Sequence, residues 1–266
     1  MKRTARSLHK HELYQISVQN PEFERRLLQR IYRKVRGKQP RKLREDFCGT
    51  AFLSCEWVRR VPDGEAQAID LDLETLDWGR KHNARDLGES AGRLHLVHDD
   101  VLDAGGDFVP DIVVAFNFSY FVLKNRELLL RYFRGVCEAL AEDGILVIDI
   151  YGGSEAQVIQ EETTKQDEGF DYVWEQARYN PLTGDYLCHI HFDFPDGRRI
   201  KKAYTYDWRL WHLPEVLDIL RDAGFRDHTV YWEGTDSSDG GGNGVYRPTT
   251  RGDDSVSWVA YVVAVK

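Results

Sequence analysis

The stretch "LREDFCGTAFL", residues 43–53, decides the fold. It runs from a predicted β-strand through a Cys-Gly-Thr turn into a predicted helix, "AFLSCEWVRRV", in which the apolar residues recur with helical spacing. Three charged residues, Arg44, Glu45 and Asp46, stand at the end of the strand, where an α/β sheet is normally buried. Because an unpaired buried charge is costly, these side chains need either partners or a ligand.

Strands and helices alternate along the chain from this stretch to "ILVIDIYGG" (145–153), and the alternation resumes with "LPEVLDILRDAGF", "HTVYWEG" and "WVAYVVAVK". This pattern predicts an α/β fold with a doubly wound parallel sheet. Between the two parts, residues 170–211 contain turn signals that predict a three-stranded antiparallel meander. We therefore expect an N-terminal helical arm or lid at 1–40, a core formed by 41–152 and 212–266, and an antiparallel β lid inserted at 153–211.

Acidic or polar side chains follow each of the first four predicted strands. In open parallel sheets, ligands bind beyond the carboxyl ends of the strands, where helix N-termini offer backbone N–H groups. A single carboxylate there is ordinary, but an ordered series indicates a binding site. The series consists of Glu45 and Asp46, then Asp70 and Asp72, then Asp99 and Asp100, and finally Asn117 and Ser119.

The series resembles the class I S-adenosylmethionine-dependent methyltransferases. "EDFCGTA" (45–51) stands where these enzymes carry a Gly-rich loop, "AIDLDLETL" (68–76) matches their ribose-binding segment, and "HDDVL" (98–102) matches their adenine-contacting segment. The fourth and fifth strands also match. The resemblance implies a Rossmann-like sheet of seven strands with the last one antiparallel, and S-adenosyl-L-methionine as the cofactor. The implied cofactor-binding residues are Glu45, Asp46, Phe47, Cys48, Gly49, Thr50, Asp70, Leu71, Asp72, Asp100, Val101, Asn117, Phe118 and Ser119.

The loop departs from the usual G-x-G-x-G pattern, because Phe47, Gly49 and Ala51 occupy its three glycine positions. Glycine permits close approach of the backbone to a ligand, so such an approach is expected mainly at Gly49. Glu45 and Asp46 project to opposite sides of the strand. One of them can meet the amino group of the ligand while the other pairs with Arg44 or a neighbouring cation, and the sequence leaves their roles open.

Aromatic residues are concentrated in the insertion, which begins at the ligand-binding edge of the sheet. This placement resembles small-molecule N-methyltransferases with an antiparallel lid, and it implies in-line methyl transfer to a small-molecule nitrogen or oxygen acceptor. We expect the acceptor pocket to be formed by the insertion, the "ELYQISVQNPE" arm (12–22) and the long loop from Glu233 to Ser257. The candidate catalytic residues are Tyr14, Tyr120, His191 and Glu233.

Three other functions remain as alternatives. A dinucleotide-binding oxidoreductase is disfavoured because the G-x-G-x-x-G spacing is absent. A nucleic-acid methyltransferase is suggested by "NFSY" (117–120), which stands where such enzymes carry Asn-Pro-Pro-Tyr, but both prolines are replaced. Loss of two loop glycines could also mark a cofactor-binding protein without transfer activity. The run "CHIHFDF" (188–194) lacks further metal ligands at suitable spacing, so no metal site is expected.

Charge is distributed unevenly along the 266 residues. Residues 1–44 hold 14 Lys or Arg against three Glu, whereas the remainder holds 22 Lys or Arg against 41 Asp or Glu. The negative charge of the body repels phosphates and so disfavours a nucleic-acid partner. Four dispersed cysteines predict reduced thiols, and no segment resembles a membrane span or a secretory signal, so we expect a cytoplasmic protein without a membrane partner. Whether it forms a homodimer is left open.

Overall fold

The computed structural model describes residues 7–104, 106–235 and 242–266, which form two sheets and six α-helices. The helices are α1 (Lys10–Val18), α2 (Pro21–Arg36), α3 (Phe52–Arg60), α4 (Leu73–His82), α5 (Arg126–Ala139) and α6 (Leu213–Asp222). The strands are β1 (Lys42–Asp46), β2 (Glu65–Asp70), β3 (Leu94–His98), β4 (Ile112–Ala115), β5 (Ile145–Gly152), β6 (Gln160–Gln166), β7 (Phe170–Tyr179), β8 (Asp185–Asp193), β9 (Arg199–Arg209), β10 (Asp227–Thr235), β11 (Gly242–Thr249) and β12 (Trp258–Val265).

The central sheet has eight strands in the order β11-β10-β12-β5-β4-β1-β2-β3. Strands β1 to β5 run parallel, β12 is antiparallel to β5, and β10 is antiparallel to β12, so β10 runs in the direction of β1. The strand order reverses between β1 and β4, and this switch point is where open α/β sheets bind ligands. The doubly wound α/β fold and its antiparallel last strand are confirmed.

The eighth strand, β11, is an addition to the seven that we expected. Its sequence, "GNGVYRPT", contains two glycines and a proline, which are poor strand formers. It nevertheless pairs with β10 from Val230–Thr249 to Glu233–Tyr246, and the Tyr246 ring packs edge-on against Tyr261 at 4.7 Å between centroids. Tertiary packing thus forms a strand at the edge of the sheet where local sequence predicted a loop.

Helices cover both faces of the central sheet. On one face α2 and α3 bury an apolar cluster that includes Leu28, Ile31 and Trp57 against β1, β4 and β5, and α4 packs beside them through Leu76. On the other face α5 and α6 bury Phe133 and Ile219, among others, against β4, β5 and β12. Two covered faces explain why the central strands read as nearly continuous apolar runs.

The second sheet is antiparallel and has four strands in the order β6-β7-β8-β9, rather than the expected three. The additional strand, β6, has the polar sequence "QEETTKQ", so no apolar alternation marks it, and it lies at the edge of the sheet. Helix α1 packs against the inner face of this sheet through Leu13, which contacts a cluster containing Phe170, Ile190 and Phe192. No helix in the described ranges is long and apolar enough to cross a membrane.

Candidate active site

The turn after β1 keeps the backbone of a glycine loop with a single glycine. Phe47, Gly49 and Ala51 have φ angles of 55°, 54° and 54°, all in the left-handed region. For the two residues that carry a Cβ this conformation costs on the order of 1–2 kcal/mol each. All three positions that the G-x-G-x-G pattern would occupy thus have a left-handed backbone, although only Gly49 is a glycine.

Neighbouring helices hold this turn in place. A Cβ atom on Gly79 of α4 would lie 2.3 Å from the Thr50 carbonyl oxygen, so only glycine allows α4 to approach so closely. Asn83 Nδ2 donates to the same oxygen at 2.8 Å, and Gln15 Nε2 of α1 donates to the Thr50 hydroxyl at 2.8 Å. The N-terminal arm is thus in direct contact with the turn.

Asp70 ends β2 with its carboxylate beside the turn. Oδ2 accepts from Gly49 N at 2.7 Å and Oδ1 accepts from Asp72 N at 2.9 Å, while Asp72 caps α4 by accepting from Glu74 N and Thr75 N. Burial raises the pKa of Asp70. Each carboxylate oxygen keeps a lone pair, so Asp70 can also accept hydrogen bonds from two vicinal hydroxyls.

Glu45 and Asp46, the two acids at the end of β1, both bind partners within the protein. Glu45 Oε2 accepts from Ser54 N at 2.9 Å and from the Ser54 hydroxyl at 2.5 Å, and so caps α3, whose own N-cap residue provides no side-chain hydrogen bond. Asp46 pairs with Arg44 Nε at 2.6 Å and accepts from the Tyr132 hydroxyl at 2.9 Å. The two carboxylates at the end of β1 therefore cap α3, pair with Arg44 and accept a hydrogen bond from Tyr132 of α5.

A second strained turn follows β4. Asn117 and Phe118 are consecutive residues with φ of 57°, and neither is glycine. The carboxylate of Asp149, which lies in β5 and is 6% exposed, accepts from Asn117 N at 2.7 Å and from Phe118 N at 2.9 Å. Burial raises the pKa of Asp149 to about 7. Two hydrogen bonds to one carboxylate thus offset the conformational cost of the turn.

The two turns, the end of β2, helix α1 and strand β9 enclose a cleft of about 350 Å³. Its wall is rich in aromatic rings, and Tyr206 stacks on Trp208 with centroids 4.4 Å apart, while Tyr14 and Tyr204 lie 4.8 Å apart. The cleft is lined by His11, Tyr14, Gln19, Phe47, Cys48, Gly49, Thr50, Asp70, Asp72, Thr75, Phe116, Asn117, Ser119, Val122, Tyr204, Thr205, Tyr206, Asp207 and Trp208. This set of described residues contains three aspartates and no lysine or arginine.

Several polar groups in the cleft are available to a ligand. The Ser119 hydroxyl and Gln19 Oε1 are buried without a hydrogen-bond partner among the described residues. Nδ1 of His11 shares a hydrogen bond with the Tyr204 hydroxyl at 2.7 Å. Burial, together with the nearby His9, lowers the pKa of His11 to about 4. His11 is therefore neutral at pH 7, and one of its two ring nitrogens carries a free lone pair.

The structure brings together most of the expected cofactor residues but not all. Phe47, Cys48, Gly49, Thr50, Asp70, Asp72, Asn117 and Ser119 line the cleft, and Phe118 lies in the turn beside it. Leu71, Asp100 and Val101 lie at the ends of β2 and β3, outside the lining. Leu71 is 67% exposed, Val101 is buried in the core, and Asp100 Oδ1 accepts from Leu102 N.

Of the four candidate catalytic residues, Tyr14 lines the cleft and three lie elsewhere. Tyr120 is fully buried against Phe121 and Phe133. Glu233 accepts from Gly244 N and from the Tyr246 hydroxyl, so it supports the β10–β11 pair. Of the long loop expected to line the acceptor pocket, residues 236–241 lie outside the described residues, and residues 242–257 do not contribute to the lining.

His191, the last candidate, lies on the small sheet near Glu175 and Glu161, and these three could in principle hold a metal ion. Its Nε2 lies 2.8 Å from Glu175 Oε2, and its Nδ1 accepts from Lys202 N at 3.1 Å. A backbone donor at Nδ1 fixes the proton on Nε2, whereas metal-ligating histidines usually donate from the non-ligating nitrogen. The arrangement thus favours a His191–Glu175 hydrogen bond over metal ligation.

Comparisons with known proteins agree with the fold. No protein-family model matches the chain, and no curated protein matches it in sequence. Solved structures do match. An S-adenosylmethionine-dependent methyltransferase from Clostridium acetobutylicum has a TM-score of 0.66 at 15% identity, covering 96% of each chain. The fold is that of a methyltransferase.

Two further structures are similar over nearly the whole chain. CalS10, an amino pentose methyltransferase from Micromonospora echinaspora solved with S-adenosylmethionine bound, has a TM-score of 0.65 at 15% identity and covers 96% of this chain and 97% of its own. The sugar N-methyltransferase KedS8 from Streptoalloteichus has a TM-score of 0.63 at 20% identity and covers 97% and 93%. At 15% and 20% identity, these structures show that the chain shares their fold.

Sequence reasoning missed His11, which precedes the expected arm segment 12–22, and two groups of site residues. The first is Tyr204, Tyr206 and Trp208, which alternate along β9 and therefore share one face; that alternation in "AYTYDWRLW" was the available signal. The second is Asp149, which is the one acid inside the apolar run "ILVIDIYG". A lone acid in a strand covered on both faces indicates a buried partner, although the sequence cannot say which.

Proposed function

We propose that the protein transfers a methyl group from S-adenosylmethionine to a small-molecule acceptor, and that the acceptor atom is an amine nitrogen. One observation carries this proposal: a single cleft combines the left-handed turn at Gly49, the carboxylate of Asp70 and an aromatic wall without lysine or arginine. Structures of similar fold include S-adenosylmethionine-dependent and sugar N-methyltransferases.

The residues present fit this cofactor. Gly49 allows close approach of the backbone, Asp70 has free lone pairs for the two ribose hydroxyls, and the buried Ser119 hydroxyl offers an unused hydrogen bond. The cofactor, when bound, supplies a methyl group already activated on a sulfonium. An acidic, aromatic cleft stabilises such a cation through its carboxylates and ring faces.

The chain's own contribution is alignment, exclusion of water and acceptance of a proton. Helix α1 and strand β9 enclose the cleft with Tyr14, Tyr204 and Tyr206. His11 is kept neutral, and in the tautomer whose Nδ1–H donates to the Tyr204 hydroxyl, Nε2 has the free lone pair needed to accept a proton. The absence of cations from the described lining favours a neutral or cationic amine over a phosphate or carboxylate acceptor.

The test measures binding and transfer separately. By isothermal titration, Asp70→Ala should bind S-adenosylmethionine about 2–4 kcal/mol more weakly than wild type, because a buried charge-assisted contact is lost. Asp77→Ala is the control, since Asp77 lies on the helix that follows β2, pairs with Arg80 and lies outside the cleft lining. Unchanged affinity in Asp70→Ala would refute the cofactor assignment.

Transfer is then measured by incubating the protein with methyl-labelled cofactor and a panel of amines, amino sugars and hydroxylated analogues. Label on an amine, lost in a Tyr14→Phe, His11→Ala double variant, supports the full proposal. Tight cofactor binding with no labelled product across the panel and a metabolite extract would indicate a cofactor-binding protein without transfer activity.

A further inference from the structure

Within the proposed methyltransferase, the turn after β4 presents polar groups to the cleft that the protein itself does not use. The Asn117 side chain lines the cleft and makes no hydrogen bond to any residue in the described ranges, and the buried Ser119 hydroxyl has no partner there either. Both are therefore available to a ligand, provided that the backbone holds them in position.

The backbone conformation of this turn is not stabilised by its own residues. Asn117 and Phe118 both adopt left-handed φ angles without being glycine, and they are adjacent. Asparagine tolerates this conformation, but an aromatic residue such as Phe118 rarely adopts it and has no local means of stabilising it. An external group must favour the strained form over the relaxed one.

That group is the Asp149 carboxylate. It lies on the neighbouring strand, is buried, and accepts one hydrogen bond from each of the two strained residues, at 2.7 and 2.9 Å. No lysine or arginine forms an ion pair with it among the described residues, so its hydrogen bonds to the turn are its principal compensation. A protonated carboxyl would lose one of its two acceptor positions.

We propose that Asp149 is a positioning residue that holds the turn at residues 116–119 in its strained form, so that Asn117 and Ser119 are oriented toward the ligand in the cleft. The identity of the ligand rests on the proposed function, whereas the hydrogen bonds from the turn to Asp149 are present in the protein without a ligand. Asp149 acts through the turn and does not line the cleft.

The protein offers a matched control in Asp111. Its Oδ2 accepts from two successive backbone N–H groups, Arg41 N at 2.7 Å and Lys42 N at 2.9 Å, at the opposite end of β4. Asp149→Asn and Asp111→Asn therefore remove the same kind of interaction from the two edges of the sheet, and only the first affects the turn.

Hydrogen exchange gives the first readout. In Asp149→Asn the amides of Asn117 and Phe118 should exchange at least about tenfold faster than in wild type, whereas in Asp111→Asn they should stay within about twofold. S-adenosylhomocysteine, used as the binding probe, should bind about tenfold more weakly to Asp149→Asn and unchanged to Asp111→Asn. Equal exchange of the two amides in wild type and Asp149→Asn would overturn the inference, and so would faster exchange without any loss of affinity.

A pH titration of the wild type keeps the inference testable if Asp149→Asn fails to fold. Burial raises the pKa of Asp149 to about 7, so the amide proton shifts of Asn117 and Phe118 should titrate together near neutral pH. The other ionisable groups that interact with Asp149 are Glu24 on α2 and Tyr14, Tyr120, Tyr246 and Tyr261 on the elements packed around it. Titration of the Asp149 carboxyl carbon with flat amide shifts at Asn117 and Phe118 would overturn the inference. Failure of wild type to bind the probe would instead refute the proposed function, and the exchange data would still decide the role of Asp149.

Discussion

Buried carboxyl groups are the most unusual residue-scale feature of this protein. Glu24 in α2 is 8% exposed, and burial, followed by the charge of Glu45, raises the pKa of Glu24 to about 8. Burial also raises the pKa of Glu45 to about 7. These acids lie near the ligand-binding edge of an acidic molecule, so the folded state retains protons that an unfolded chain would release.

The retained protons predict that stability falls as pH rises. Between the ordinary glutamate pKa of 4.5 and about 8, the folded state binds the proton of Glu24 more tightly than the unfolded state does. The free energy of unfolding should therefore fall through this window, by at most about 1.4 kcal/mol per pH unit for one fully shifted group. Glu24→Gln should flatten the profile measured by urea unfolding from pH 5 to 8.5.

Glu22→Gln is the control for this measurement. Glu22 lies on the same helix, its side chain is 61% exposed, and it pairs with Arg26. Its replacement should leave the slope of the wild-type profile intact. Parallel profiles for wild type and Glu24→Gln would show that Glu24 is ionised in the folded protein.

The sequence predicted individual site residues where the main chain alone determines their position. Gly49 and Asp70 follow strands at the switch point of the sheet, so topology brings them together. Tyr120 shows the opposite case, since it follows the same strand as Asn117 but a short 3-10 helix turns it into the core. The direction of a side chain after a strained turn depends on hydrogen bonds from another strand, which sequence periodicity does not encode.

At the scale of elements, helix α1 connects the small sheet to the turn after β1 (residues 47–51). Leu13 and Tyr14 pack in the cluster of the small sheet, and His11 shares a hydrogen bond with Tyr204. Gln15 donates to Thr50, and the helix brings His11 and Tyr14 into the cleft. With so few apolar anchors, the helix can detach without unfolding the core. We propose that α1 acts as a lid and that Leu13, whose side chain is fully buried, is its main apolar anchor.

Leu13→Ala should test this dependence. Large-to-small core substitutions cost about 2–5 kcal/mol, and here the loss should appear as detachment of α1, with cooperative unfolding of the core preserved. Methyl transfer should fall at least about tenfold and the α1 amides should exchange faster. Ile16→Ala, on the same helix but exposed, is the control. Full transfer activity in Leu13→Ala would mean that α1 does not act as a lid.

Helices and strands with apolar periodicity were predicted well, whereas strands that form only by pairing with the edge of a sheet were not. All six helices have apolar or capping signals, such as Asn125 before α5 and Pro214 in the first turn of α6. Strands β6 and β11 are edge strands with polar or glycine-rich sequences, and they exist because a neighbour offers unpaired N–H and C=O groups. Such strands carry little local signal.

For the whole molecule, the distribution of charge separates a basic surface from the cleft. Arg26, Arg30 and Arg33 of α2 line a groove with Arg41 and the segment 61–63, which precede β1 and β2 and so lie toward the amino edge of the sheet. The cleft lies at the carboxyl edge and its described lining is acidic. A polyanionic substrate bound by the arginines would therefore not be directed into the cleft.

This separation predicts weak salt dependence. Transfer to a small amine should change by less than about threefold between 50 and 200 mM salt, because no phosphate is neutralised in the cleft. A nucleic-acid acceptor would instead lose activity steeply over that range. Rates at both salt concentrations, with the amine found in the label screen and with total RNA as the competing acceptor, distinguish the two. Steeper loss with RNA as the better acceptor would contradict the small-molecule assignment.

Strand β4 has a carboxylate at each end. Asp111 joins its start to β1, and Asp149 joins the residues after its end to β5. Fixed in this way, the four-residue strand keeps the basic edge of the sheet and the cleft at a constant separation. The arginine groove and the cleft share no lining residue, so substitutions confined to the groove should leave methyl transfer unchanged.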